Sequence, residues 1–211
     1  MKVISNSVRV EDLPHQQCIG FILAGGRSSR MGRDKAMVSV GGQTMLQIAH
    51  SVLHKAQIHQ RFVVGGQYAD INEKNKGLGP ARAICDVLLT PSTVNVESNN
   101  YALFMPVDMP FLTSASLRKL LHLAKKNRQA FYFKEHYLPF VTPWSLEVAL
   151  TLKGVSEAHP SPSVRNVLHA INAKSVTFSG ELRELANINS PVELIKATGG
   201  AIKENHNTRL E

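Results

Sequence analysis

With 211 residues, 43% hydrophobic and 19% charged, the chain can bury the core of one α/β domain, with room for small additions only. Its 24 basic and 16 acidic residues give a net charge of +8, which suits an anionic partner. Aromatic content of 6% and dispersed Lys and Arg argue against a nucleic-acid stacking surface, so no nucleic-acid partner is expected. Cys18 and Cys85 are too few and too far apart for a disulfide scaffold or a Cys-based zinc motif, which fits a reducing cytoplasm. The first 17 residues lack an apolar h-region. No later window supplies the roughly 18 apolar residues of a membrane span, so a cytoplasmic protein with no membrane partner is expected.

Residues 1–16 and 199–211 read as flexible extensions around a single domain over 17–198. Phe21, Ile22 and Leu23 run straight into Gly25 and Gly26, as a buried parallel strand does when it ends in a tight turn. Backbone N–H groups of a glycine-rich loop can converge on an anion, and Arg27, Arg30 and Lys35 add positive charge beside them. The pattern predicts a triphosphate site, although neither G-x-x-x-x-G-K-[ST] nor G-x-G-x-x-G is present.

Residues 36–40 then read as extended, Gly41-Gly42 as a turn, and Thr44 as the cap of a helix carrying Met45, Ile48, Ala49, Val52 and Leu53. A second strand over 61–64 ends at Gly65-Gly66, and Pro80 opens a helix running toward Leu89. Residues 65–78 are too few for a full helix and strand. Residues 91–100 read as a loop, 101–107 as a central strand, and Thr113 or Ser114 as the cap of a helix carrying Leu117, Leu120, Leu121 and Leu123. Segments 130–133 and 137–142 suggest a hairpin. Val164, Val167, Leu168 and Ile171 suggest a helix, 174–178 a strand, and Pro191 the start of a closing helix. The alternation predicts an α/β fold in three layers, a Rossmann-like, mostly parallel central sheet flanked by helices, with a small appended β-hairpin.

In such a sheet, ligands gather outside the carboxyl ends of the strands, where both the Gly25-Gly26 loop and Asp108 fall. A carboxylate there is costly unless paired or bound to a cation, which makes Asp108 the first candidate ligand for Mg²⁺, against the alternative of a capping or turn aspartate.

The segment 22–36, I-L-A-G-G-R-S-S-R-M-G-R-D-K-A, closely resembles the signature L-A-G-G-x-S-x-R-M-G-x-D-K of sugar-1-phosphate-type nucleotidyltransferases, and specifically their molybdenum cofactor guanylyltransferase branch. The resemblance implies that the loop wraps the nucleotide phosphates, placing Leu23, Ala24, Gly25, Gly26, Arg30 and Lys35 at nucleotide contacts. It also implies catalytic roles for Arg30, Lys35 and Asp108. V-D-M-P resembles the family's D-x-P motif, whose aspartate holds Mg²⁺ at the reacting phosphates. Residues 187–194, N-I-N-S-P-V-E-L, match N-x-N-x-P-x-[DE]-L, which makes Asn187 and Asn189 candidates for binding the acceptor, ordinary helix capping being the alternative. Arg165 matches a late Arg-containing helix; it either grips a substrate phosphate or lies on a solvated face. His136 falls near the family's substrate-binding hairpin on a loose match and reads as a surface histidine.

A weaker match over 72–84 places Glu73 and Gly79 among the nucleotide contacts. Here Glu73 replaces an aspartate and Ala81-Arg82-Ala83 replaces Leu-Ala-Gly; if glycine is needed there for the backbone to approach the base, Ala83 crowds it, and Arg82 adds a cation that the family lacks. The activity implied is Mg²⁺-dependent transfer of GMP from GTP to molybdopterin or molybdenum-molybdopterin, releasing pyrophosphate, with molybdoenzyme apoproteins as recipients. The alternatives are a transferase using CTP or a sugar or polyol phosphate acceptor, and a noncatalytic nucleotide binder.

Overall fold

A computed structural model describes residues 17–25, 34–74, 77–90 and 100–197. At its centre β1 (Cys18–Leu23) lies between β4 (Gln60–Val64) and β5 (Tyr101–Pro106), parallel to both. Leu23 stands in register with Val64 on one side and Pro106 on the other, so the three strands end together along one edge of the sheet. Both faces of β1 are covered, which is why its sequence is a continuous apolar run. Phe21 stacks on Phe104 toward one face, while Ile22 and Met105 join the core of the other.

The remaining strands give the order β4-β1-β5-β7-β6-β8, where β6 is Phe131–Phe133, β7 is His136–Pro143 and β8 is Lys174–Val176. The predicted hairpin is thus β6 and β7 within the main sheet. Because β7 runs antiparallel to β5, pairing Tyr101 with Pro143 and Phe104 with Phe140, its first residues lie beyond the carboxyl end of β5. That register carries the hairpin tip to the edge where β1, β4 and β5 finish. A separate two-stranded piece joins β2 (Ser39–Val40) to β3 (Gln43–Thr44). Its turn, Gly41-Gly42, has φ of +59° and +85°, which a two-residue hairpin turn of this hand requires.

Helices cover both faces. α1 (Met45–Lys55), α3 (Ser114–Asn127) and the short α6 (Pro191–Ala197) bury their apolar stripes on one side. α2 (Pro80–Leu88), α4 (Leu146–Ala158) and α5 (Val164–Ala170) do so on the other. Thr44 caps α1 in a reciprocal box with Gln47, Thr113 caps α3, and Pro80 occupies the first turn of α2, where a missing N–H costs least. α1 approaches β1 closely at Gly20, where a Cβ would stand 3.0 Å from Leu53. Between β4 and α2 the described chain forms neither helix nor strand, only a single bridge from Val64 to Ile71. Among the described residues no helix is long and apolar enough to cross a membrane.

Candidate functional site

At the end of β1, Gly25 and the pair Gly65-Gly66 meet backbone to backbone. The amides of Ala24 and Gly25 both donate to the Val64 carbonyl, at 2.9 and 3.2 Å, so they tie the loop to β4 and are not free to bind an anion. Gly65 and Gly66, with φ of +72° and +79°, turn β4 away at the same level. A Cβ on Gly65 would lie 2.9 Å from the Gly25 Cα, and one on Gly66 would lie 2.9 Å from the Ala24 oxygen, so backbone approach excludes side chains here. The carboxylate of Glu73 fills the space that a Cβ on Gly25 would need. Glu73 therefore lies against the Gly25 turn. Gly26 and Arg30 lie outside the described residues, as does Arg27.

Past the loop, the Asp34 side chain caps a 3-10 turn over Lys35–Met37, and Ala36 of that turn is buried in the core. This anchoring aims Lys35 back across the strand ends. Its ammonium donates to Asp108 Oδ2 at 2.9 Å and to Asn189 Oδ1 at 2.6 Å. Three motifs distant in sequence thereby converge on one nitrogen.

Asp108 follows β5 by two residues, and its carbonyl accepts from the Ile188 amide at 2.9 Å. Ile188 is buried, so Asn187 and Asn189 are presented on either side of an anchored residue. Glu193 Oε2 in turn accepts from the Asn189 amide at 2.6 Å, which explains the acidic position of N-x-N-x-P-x-E-L. The second oxygen of Asp108, Oδ1, is buried with no hydrogen-bond partner among the described residues. A buried bare carboxylate oxygen is costly and marks a place for a cation.

Around this node opens a cleft of about 570 Å³. Leu23, Ala24, Gly25, Lys35 and Asp108 line it along the strand ends, with Pro80 and Asn187 at its sides. Its remaining wall is the hairpin tip, from Glu135 to Leu138, together with Ser163 and Arg165 at the start of α5. The structure corrects the surface reading of His136, which lines this cleft. The cause is the β5–β7 register, a long-range pairing with no local signal. Glu135 and Ser163 were likewise missed. Of the two alternatives for Arg165, the structure gives an exposed side chain that nevertheless lines the cleft.

The nucleoside-side departures sit elsewhere. Ala83 is buried and lines a separate cavity of about 290 Å³ with Phe62, Val64 and Glu73, while Arg82 donates to Asp86 at 3.1 Å one helical turn along. Neither Ala83 nor Arg82 lines the larger cleft; Ala83 shares the smaller cavity with Glu73. Gly79, with φ of +86°, caps α2 beside Pro80. Neither cysteine offers a nucleophile, because burial pushes the Cys18 thiol up to about 12 and raises that of Cys85 as well.

Comparison with known proteins gives the same family. The model of the MobA-like NTP transferase domain matches residues 20–171. A molybdenum cofactor guanylyltransferase of Xanthomonas euvesicatoria pv. vesicatoria is 34% identical over 178 residues, covering 82% of this chain and 89% of that protein. One from Sinorhizobium fredii is 28% identical over 200 residues, covering 86% and 90%. The crystal structure of molybdopterin-guanine dinucleotide biosynthesis protein A from Archaeoglobus fulgidus shares the fold, with a TM-score of 0.66 at 21% identity, covering 87% of this chain and 97% of that one. The chain belongs to the MobA-like NTP transferase family and is a nucleotidyltransferase.

Proposed function

We propose that the protein transfers GMP from GTP to molybdopterin or molybdenum-molybdopterin and releases pyrophosphate. The observation that carries this reading is the convergence of Asp108 and Asn189 on Lys35, with Lys35 Nζ 2.9 Å from Asp108 and 2.6 Å from Asn189, and with Lys35 and Asp108 lining the cleft. The names of its relatives supply the nucleotide and acceptor.

In this mechanism an oxygen of the acceptor's terminal phosphate attacks the α-phosphorus of GTP. The bond from that phosphorus to the oxygen bridging the β-phosphate breaks, and pyrophosphate leaves with that electron pair. No protein nucleophile is needed, so the chain acts by positioning and by placing charge. Lys35, held between Asp108 and Asn189, presents its ammonium to the phosphate oxygens as charge accumulates on them. Asn187 and Asn189, fixed by Ile188 and Glu193, hold the acceptor's phosphate in line. Arg30 belongs with Lys35 in this reading. Gly25, Gly65 and Gly66 let the two turns pack backbone to backbone beside the nucleotide, and Glu73 and Gly79 border its nucleoside.

The residues fit Mg²⁺. Asp108 Oδ1 is a buried oxygen without a hydrogen-bond partner among the described residues, and one or two carboxylates with water and phosphate oxygens suffice for this ion. When bound there, Mg²⁺ would screen the negative charge of the triphosphate. Apoenzymes that receive the finished cofactor follow as partners from the same reading.

The test is pyrophosphate release from purified protein given GTP, Mg²⁺ and molybdopterin. Release that depends on all three supports the reading, and release with a sugar or polyol phosphate replacing molybdopterin would redirect it.

A further inference from the structure

The wall of the cleft facing Lys35 has a composition that phosphate chemistry does not explain. Lys35 and Asp108 are committed to each other, whereas the side chains of Glu135, His136 and Arg165 form no ion pair or hydrogen bond among the described residues. Glu135 is thus the carboxylate of the cleft that no described cation neutralises. It also sits at φ of +69°, where glycine or asparagine is more at ease, so the local turn gives no reason for a glutamate. Next to it Tyr137 is 41% exposed, with Tyr132 behind it at a ring separation of 6.2 Å. An exposed tyrosine backed by a second ring makes a platform for a flat ligand. A repelling carboxylate beside a site for anions is explained if it accepts N–H donors from that ligand.

We propose that Glu135 recognises the 2-amino-4-oxopyrimidine edge of a fused heterocycle lying along Tyr137. This edge offers an adjacent ring N–H and exocyclic amine, two parallel donors that match the two oxygens of a carboxylate. Both substrates of the proposed reaction carry it, guanine in the donor and pterin in the acceptor. The inference therefore rests on that reaction for its ligands. The hairpin tip lines the cleft together with Arg165, whereas the Gly25 turn carries its own carboxylate, Glu73. This arrangement favours the pterin.

Equilibrium binding tests it without turnover. The probes are a pterin with a phosphorylated side chain, the matching lumazine in which a carbonyl replaces the 2-amino group, GTP, and ITP, which lacks guanine's 2-amino group. The wild-type protein should bind the pterin about tenfold or more tightly than the lumazine, and Glu135→Gln should bring that ratio close to one. Glu135→Gly suits the positive φ, so it should fold at least as well and lose the same selectivity. A collapse of the GTP to ITP ratio instead would assign the edge to the guanine of the donor. Both ratios unchanged in both variants would overturn the proposal. Pyrophosphate release with GTP and molybdopterin is a separate readout. Release with unchanged ratios would reject Glu135 and keep the function, whereas a Glu135-dependent ratio without release would do the reverse.

Discussion

The ammonium of Lys35 lies 2.9 Å from Oδ2 of Asp108, a hydrogen bond between residues 73 apart in sequence that joins the turn after β1 to the end of β5. The two side chains are only 23% and 14% exposed, yet one face of the carboxylate, Oδ1, has no partner among the described residues. In the proposed reaction this ion pair holds a cation for phosphate, and its open oxygen is the one that would meet Mg²⁺.

Substitutions should separate these duties. Asp108→Asn keeps the shape and removes the charge that Mg²⁺ would meet, so Mg²⁺-dependent turnover should fall by about 10²-fold or more while nucleotide still binds. Steady-state kinetics at several Mg²⁺ concentrations, with nucleotide binding measured separately, checks this. Unchanged turnover would remove Asp108 from the reaction. Lys35→Met should weaken triphosphate binding as well as rate, by about tenfold or more in each.

At Gly25 and Gly65 the expected effect is steric. Gly25→Ala places a methyl where the Glu73 carboxylate lies, and that flexible side chain must swing away. Nucleotide affinity should then drop as far as in Glu73→Ala, and the double variant should be no worse than either single one. Gly65→Ala meets the Gly25 backbone and carries φ of +72°, so it should cost about 2 kcal/mol or more in denaturant unfolding.

Glu193 reaches the site through Asn189, whose amide it accepts at 2.6 Å. In the proposed reaction it acts as a positioning residue. Glu193→Ala should raise the acceptor KM by roughly tenfold with little change in the GTP KM, and Glu193→Gln, which keeps an accepting oxygen, should restore most of the loss. Equal effects on both substrates would point to a general loosening of α6.

His50 gives a pH dependence of stability. Burial first, then the Arg61 guanidinium, pull its pKa below the usual value, with Asp70 partly opposing. A histidine depressed in the folded state binds fewer protons there than in the unfolded chain. Its contribution is therefore fully present above the unfolded pKa of about 6.5 and is lost as pH falls from there through the lower folded value. Urea midpoints for His50→Gln should fall less than wild-type midpoints between neutral and mildly acidic pH.

Much of the framework was legible locally. The continuous apolar runs ending at Leu23 and Val107, the caps at Thr44 and Thr113 and the proline at position 80 each carry their own physical signal, and the strands and helices followed. α4 was not anticipated, because Leu146 and Leu150 are 75% and 60% exposed and blur the apolar stripe around Leu152. The Gly25 turn was read as an anion cradle, but the amides of Ala24 and Gly25 are used by Val64, a pairing set by the neighbouring strand. Asp108 and Lys35 were named from motifs, whereas the hydrogen bond between them and the place of His136 depend on strand order and register.

The most direct test of the whole account is pyrophosphate release with Mg²⁺ and each of the four NTPs, with and without molybdopterin. The account predicts release with GTP and molybdopterin together and its loss in Asp108→Asn. Nucleotide binding with no release in any combination would contradict it, and would leave a protein that holds the nucleotide without transferring it.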